Sequence, residues 1–115
     1  MPLIRMETSA ALNDSQKTEL ALALSKIASD ATGKSESYVM AVVTQAEVTM
    51  AGKTGPAAFL DIRSIGAINQ KVNRQISSGV AVLLDKTLGI PADRVYLSFN
   101  DVSGVNWGWN GSTFG

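Results

Sequence analysis

The chain has 115 residues, 45% of them hydrophobic, with ten basic residues balanced by ten acidic ones. That is enough for one domain with its own core, and nothing in the charge invites nucleic acid or another polyanion. Cysteine and histidine are both absent, which removes disulfides, thiol catalysis, zinc–thiolate and histidine metal sites, and any Ser-His-Asp triad. No apolar run reaches the roughly 18 residues of a membrane span, and no basic head with an apolar core marks a secretory leader. A cytoplasmic protein, or one released without a leader, is expected. Proton transfer near neutral pH would fall to an amine, a carboxylate or a phenol.

Residues 2–8 (PLIRMET) read as a strand, with Leu3 and Ile4 too apolar for two exposed faces. Pro2 has two readings. By composition it is a strand-edge residue with no amide hydrogen to lose. If Met1 is clipped, as an initiator ahead of a small residue generally is, Pro2 becomes an N-terminal secondary amine whose direction the ring fixes. An α-amino group titrates near about 8, and burial in an apolar pocket lowers that value toward the best range for a general base. The lack of histidine favours this second reading by elimination.

Asn13 or Asp14 offers a helix N-cap, and Gln16, three residues after Asn13, completes a capping box. Leu20, Leu24, Ile27, Ala28 and Ala31 then form one apolar stripe, and Gly33 ends it in the left-handed manner. Tyr38 to Thr44 (YVMAVVT) is a dense β-branched run and is expected to be a buried strand. Val48-Thr49-Met50 suggests a short edge strand before a turn at Gly52 to Pro56. Gly52-Lys53-Thr54 looks like the end of a phosphate-binding loop, but that motif requires glycine where Glu47 stands, so it is dismissed.

The second half repeats the first. Ala57 to Arg63 (AAFLDIR) reads as a strand and Ser64-Ile65-Gly66 as a turn. A helix follows with Ile68, Val72, Ile76, Val80, Leu83, Leu84 and Leu88 on one stripe, stopped by Gly89. Asp93 to Asp101 holds a strand alternating through Val95, Leu97 and Phe99. The pattern predicts an α/β fold (α+β in some schemes) in one domain over 1–115. Two βαβ units, over roughly residues 2–50 and 57–105, form a mixed four-stranded sheet with both helices on one face.

The strands at 38–44 and 57–63 look apolar on both faces, so self-association is expected to cover the second face. The tail at 106–115 carries three of the chain's seven aromatics, Trp107, Trp109 and Phe114, in a glycine-rich segment. It belongs at an interface or pocket, or folds back on its own core. Asn110-Gly111-Ser112 matches a glycosylation acceptor, of little weight without a secretory leader.

In order, several short motifs resemble the macrophage migration inhibitory factor and D-dopachrome tautomerase family over essentially the whole length. They are Met1-Pro2, Ala31-Thr32-Gly33-Lys34, Ser64-Ile65-Gly66, Pro91-Ala92-Asp93-Arg94-Val95-Tyr96, and Gly108-Trp109-Asn110 followed by Ser112-Thr113-Phe114. The resemblance implies a homotrimer with active sites between subunits and keto–enol tautomerisation without a cofactor. It implies Pro2 as the proton-shuttling base, Lys34 as the cation for the substrate carboxylate or carbonyl, and Ile65 as a backbone neighbour. Tyr96 would come from the adjacent subunit, while Tyr38, Trp109 and Phe114 would form an aromatic wall. The implied substrates are small aromatic enols and keto acids of the phenylpyruvate and dopachrome type. Read without the resemblance, Lys34 is a solvated helix-end cation.

The chain departs from the animal cytokine in three places. It lacks the Cys-x-x-Cys motif in the strand aligned with Ala57 to Leu60, so thiol-oxidoreductase activity is expected to be absent. Ser98 stands in place of a pocket asparagine, and Trp107 in place of a valine at the pocket mouth. The stretch Ser35 to Met40 aligns only with a one-residue shift. Two other classes of function stay open: a cytokine-like protein that binds a host receptor through a surface whose pocket is vestigial, and a ferredoxin-like ligand-binding module of similar element order.

Overall fold

Two strand–helix–strand passes build the structure, a computed structural model that describes residues 1–115. Strand β1 (Pro2–Thr8) leads through helix α1 (Asp14–Thr32) to β2 (Met40–Gln45), and β3 (Ala58–Ser64) leads through α2 (Gln70–Leu88) to β4 (Val95–Asp101). The sheet runs β2-β1-β3-β4, with parallel outer pairs and an antiparallel central pair. This is the expected mixed four-stranded sheet with two helices. A small hairpin, β5 (Gly108–Trp109) and β6 (Ser112–Thr113), ends the chain.

Local chemistry sets where the helices begin and end. Asn13 Oδ1 accepts from the Gln16 N–H at 2.8 Å, and Gln16 Oε1 accepts from the Asn13 N–H at 2.9 Å, so the capping box is closed. Gly33 and Gly89 terminate the helices at φ 72° and 64°, a region that side chains with a Cβ avoid. α2 starts later than its apolar stripe suggests. Asn69 Oδ1 accepts from the Val72 N–H at 3.0 Å and caps the helix there, which leaves Ile68 on the approach.

Alternation along the central strands sorts the side chains. Ile4 and Met6 of β1 and Leu60 and Ile62 of β3 are fully buried against Leu20, Leu24 and Ala28 of α1 and Val72, Ile76, Val80 and Leu84 of α2. Thr8, also buried, donates its hydroxyl to the Ala57 carbonyl at 2.8 Å, so its polar atom is satisfied.

Three expectations need correction. The run at 38–44 is not a buried strand: Glu36–Tyr38 forms a 3-10 turn, and β2 is an edge strand with one neighbour, its residues half-buried or exposed. Val48–Met50 is not a strand. Met50 and Lys53 exchange backbone hydrogen bonds at 3.1 and 3.0 Å across a tight turn, and Arg94 gathers the carbonyls of Pro56, Lys53 and Thr54 at 2.8–3.2 Å. The second face of the sheet is not uniformly apolar either. Arg5, Asp61 and Ser98 stand in one row beside Val42, and Glu7, Phe59 and Tyr96 in the next beside Thr44. Sequence hydropathy averaged over β3 hid the outward parity of Asp61 and Arg63.

Asp61 is itself buried, and its Oδ2 accepts from Arg63 Nη2 at 3.0 Å and Arg5 Nη2 at 3.3 Å. Burial opposes its ionisation. The hydrogen bonds from Arg63 and Arg5 and their charges together outweigh that, and the carboxyl is held below its ordinary 3.8. A carboxyl depressed by folding adds stability above its unfolded value and loses it as pH falls through the folded value.

Two outcomes are expected. Asn13→Ala lowers the unfolding free energy by about 1 kcal/mol in urea titrations, by removing the cap and its reciprocal bond. Asp61→Asn costs about 1–2 kcal/mol at pH 7, reduced by the partial exposure of both arginines. It also flattens the dependence of stability on pH below 3.8, measured by thermal melts from pH 7 to pH 2.

Candidate active site

Met1, just ahead of β1, lines a cleft of about 580 Å³ together with Lys34, Ser35, Tyr38, Ile65, Trp109 and Phe114. An adjoining cavity of about 360 Å³ shares Met1, Tyr38 and Trp109, and adds Pro2, Leu3, Met40 and Trp107. Each wall comes from a different element and is locally held. Lys34 follows the α1 stop, where the Ser29 hydroxyl donates to its carbonyl at 2.7 Å. Tyr38 ends a 3-10 turn capped by Ser35. Ile65 follows β3 in a loop pinned by Asp101, whose Oδ1 accepts from the Gly66 N–H at 2.9 Å.

Two members of the aromatic wall, Trp109 and Phe114, come from the last twelve residues. Asn110 and Gly111 both have positive φ, 52° and 81°, the conformation of a two-residue hairpin turn that Asn-Gly suits best. The turn folds β6 back on β5, and the Phe114 N–H donates to the carbonyls of Gly104 and Trp107 at 3.1 and 3.2 Å. Trp109 thereby stacks on Phe114 at 5.9 Å between ring centroids and meets Tyr38 edge-on at 6.4 Å. Trp109 remains 54% exposed, so the slot has an open side.

In this chain the N-terminal amine belongs to Met1. Burial pushes it below its ordinary 8.0, and the charge of Lys34 pushes it the same way. Beneath Met1, the Pro2 ring is fully buried. The cleft therefore joins a depressed amine, one lysine and an aromatic slot. An amine, a cation and an aromatic surface converge there, the kind of set found in small-molecule pockets. A second groove, of about 400 Å³ between α1 and α2, is lined by Leu20, Leu83 and Leu88 with Glu19 as its one charged group, and brings no such set together.

Pro2, Lys34, Ile65, Tyr38, Trp107, Trp109 and Phe114 are thus gathered around one strand end. Tyr96 and Ser98 are not. They lie exposed on the open face of β4, with β3 between them and β1, and do not line the cleft within one chain. The sequence reading missed Ser35, a cleft residue with no motif to mark it. It also missed the C-terminal hairpin, which the Asn-Gly pair could have revealed, and the burial of the Ser64 hydroxyl, which has no hydrogen-bond partner.

The family model for macrophage migration inhibitory factor (MIF) matches residues 1–115. The macrophage migration inhibitory factor of Xenopus laevis is 35% identical over 115 residues, covering 99% of each chain. The MIF-like protein of Entamoeba histolytica superposes with a TM-score of 0.95 at 34% identity, covering 98% of both chains. The MIF homologue of Prochlorococcus marinus gives 0.91 at 37% identity, over 98% of this chain and 99% of the other. A match across every residue, on a cleft built at the N-terminal strand, places the chain in the macrophage migration inhibitory factor family.

Proposed function

We propose that this protein is a cofactor-independent keto–enol tautomerase, an isomerase of small aromatic enols and keto acids of the phenylpyruvate or dopachrome type, with Pro2 as its base once Met1 is removed. One observation carries the reading: the N-terminal amine sits in an aromatic cleft beside Lys34, where burial and charge both favour its neutral form. Loss of Met1 moves that amine onto Pro2 and opens the floor of the cleft. A neutral secondary amine takes the proton from the enol oxygen, which becomes the ketone carbonyl, and, as the ammonium, returns it to the far carbon of the former double bond, so substrate and product are isomers. Lys34 binds the carboxylate by charge, and Tyr38, Trp109 and Phe114 take the aryl group. The Ile65 backbone borders the bound acid end.

The exposed Tyr96 and Ser98 complete the site in this reading by coming from a neighbouring copy in a homotrimer. Tyr96 is 65% exposed, on the edge strand of a face whose rows carry both charge and apolar surface. The serine is shorter than the asparagine it replaces, and Trp107 is larger than the valine it replaces, so a substrate range shifted toward flatter aryl groups is expected.

Two measurements test the proposal. Intact mass of the purified protein should show loss of Met1, and Pro2→Gly should lower kcat/KM on an arylpyruvate enol by at least about 100-fold, the range of a lost general base. Equal rates would remove the enzyme reading and leave a MIF-like interaction protein. Lys34→Ala should raise KM and also move the acid limb of the pH–rate profile to higher pH. Without the lysine charge the amine holds its proton more tightly, and only its neutral form acts as base.

A further inference from the structure

We propose that Ser64 is the positioning residue for the Pro2 amine: its buried hydroxyl accepts a hydrogen bond from the nitrogen that loss of Met1 creates and keeps the other side of that nitrogen turned to the cleft. The inference rests on the reading of Pro2 as the base. Ser64 ends β3 and stands opposite Pro2 in the antiparallel register. The Ser9 N–H donates to the Ala57 carbonyl, which makes the odd-numbered residues of β1 the hydrogen-bonded pairs of this ladder. Pro2 and Ser64 are therefore a non-hydrogen-bonded pair, the class whose Cα atoms approach to about 4.5 Å with side chains in contact. Both side chains are fully buried.

The Ser64 Oγ is enclosed and has no hydrogen-bond partner, a state that proteins rarely tolerate. The Ser64 carbonyl accepts from the Val102 N–H at 2.9 Å, and Asp101, opposite Ser64 on β4, accepts from the Gly66 N–H. Pro2, while joined to Met1, is a tertiary amide and has nothing to donate. Hydrolysis of the Met1–Pro2 bond consumes one water, releases methionine and leaves a secondary amine, with one N–H when neutral and two when protonated. The missing partner of Ser64 is thus a donor that only processing creates.

The geometry also gives the bond a task. With one N–H held by Ser64, the lone pair of the neutral amine, or the second N–H of the ammonium, is left to face the substrate. The ionisable groups around the pair are Lys34 after α1, Tyr38 in the 3-10 turn and Asp101 at the end of β4.

The test compares Met1-free protein with its Ser64→Ala and Ser64→Cys variants, the second keeping the volume of the site. Pro2 is followed by ¹⁵N NMR titration, alongside the pH dependence of kcat/KM on an arylpyruvate enol. A charge-assisted bond is roughly twice as strong as a neutral one, so losing the acceptor should lower the Pro2 titration by about 0.5–1 pH unit. The acid limb of the rate profile should follow it, with kcat down roughly tenfold from lost orientation and KM little changed. Thermal midpoints give a second reading. In a form with an extra alanine ahead of Pro2, Ser64→Ala should leave the midpoint unchanged or raise it, whereas in Met1-free protein it should lower it. A Pro2 titration unmoved by both variants, or equal thermal shifts in the two forms, overturns the inference. The two readings fail separately: absence of turnover in Met1-free protein defeats the tautomerase reading while NMR still reports the pair, and turnover with an unmoved titration defeats only the role of Ser64.

Discussion

The antiparallel pairing of β1 with β3 is the constraint on which the structure depends. It joins two βαβ halves that would otherwise each present an unpaired strand, and its register decides what stands beside the N-terminus. Because Pro2 pairs with Ser64, the first turn after β3 delivers Ile65 to the same end of the sheet that receives Met1. The parallel partner β2 sets Leu3 against Met40 and so brings the segment with Lys34 and Tyr38 to that end as well. A slip of one residue between β1 and β3 would turn Ile4 and Met6 out of the core and Arg5 into it, which the buried apolar face forbids. Core packing and site assembly are therefore one specification.

The same alternation explains the mixed character of the open face. A buried face on each central strand leaves Arg5, Glu7, Asp61 and Arg63 on the other, where Asp61 is shared between two guanidinium groups. Such a cluster is tolerable at a solvated surface and directional at a contact between chains, since a partner must match its charges as well as its shape. Tyr96 and Met40, 65% exposed each, sit at the two edges of that face.

Much of this was legible in the residues. Period and caps located both helices, because Asn13 with Gln16, and Gly33 and Gly89, act through bonds within a few residues. The mixed four-stranded sheet with two helices followed from the repeat. Three things were not legible, and for different reasons. The edge position of β2 depends on which strands pair, and a run such as Val39 to Val43 has the same hydropathy in the centre of a sheet as at its rim. The turn at Met50 to Lys53 is held from a distance by Arg94, so no local pattern announces it. The aromatic wall depends on the Asn110-Gly111 turn, and an Asn-Gly pair in a glycine-rich tail marks a turn without saying which rings it brings together. The grouping of Pro2, Lys34 and Ile65 came from family resemblance, and spacing alone could not have supplied it.

On the tautomerase reading, an amine is the base that the rest of the composition favours. A chain without histidine has no side chain that titrates near neutrality unperturbed. A lysine would need a shift of several units to serve, and a carboxylate nearly as many in the other direction. The α-amine starts closest to the operating range and needs only a modest push. The cleft provides that push twice, by burial and by the lysine that also suits an acid-bearing ligand. On the tautomerase reading Lys34 would do two things with one charge: attract an anion into the slot and favour the neutral form of the neighbouring amine. A bound carboxylate would partly neutralise that charge and raise the affinity of the amine for a proton, which is the change needed when the amine must take one from the substrate. On that reading the ligand would assist the group that receives its proton, with one lysine beside the N-terminus as the link between the two.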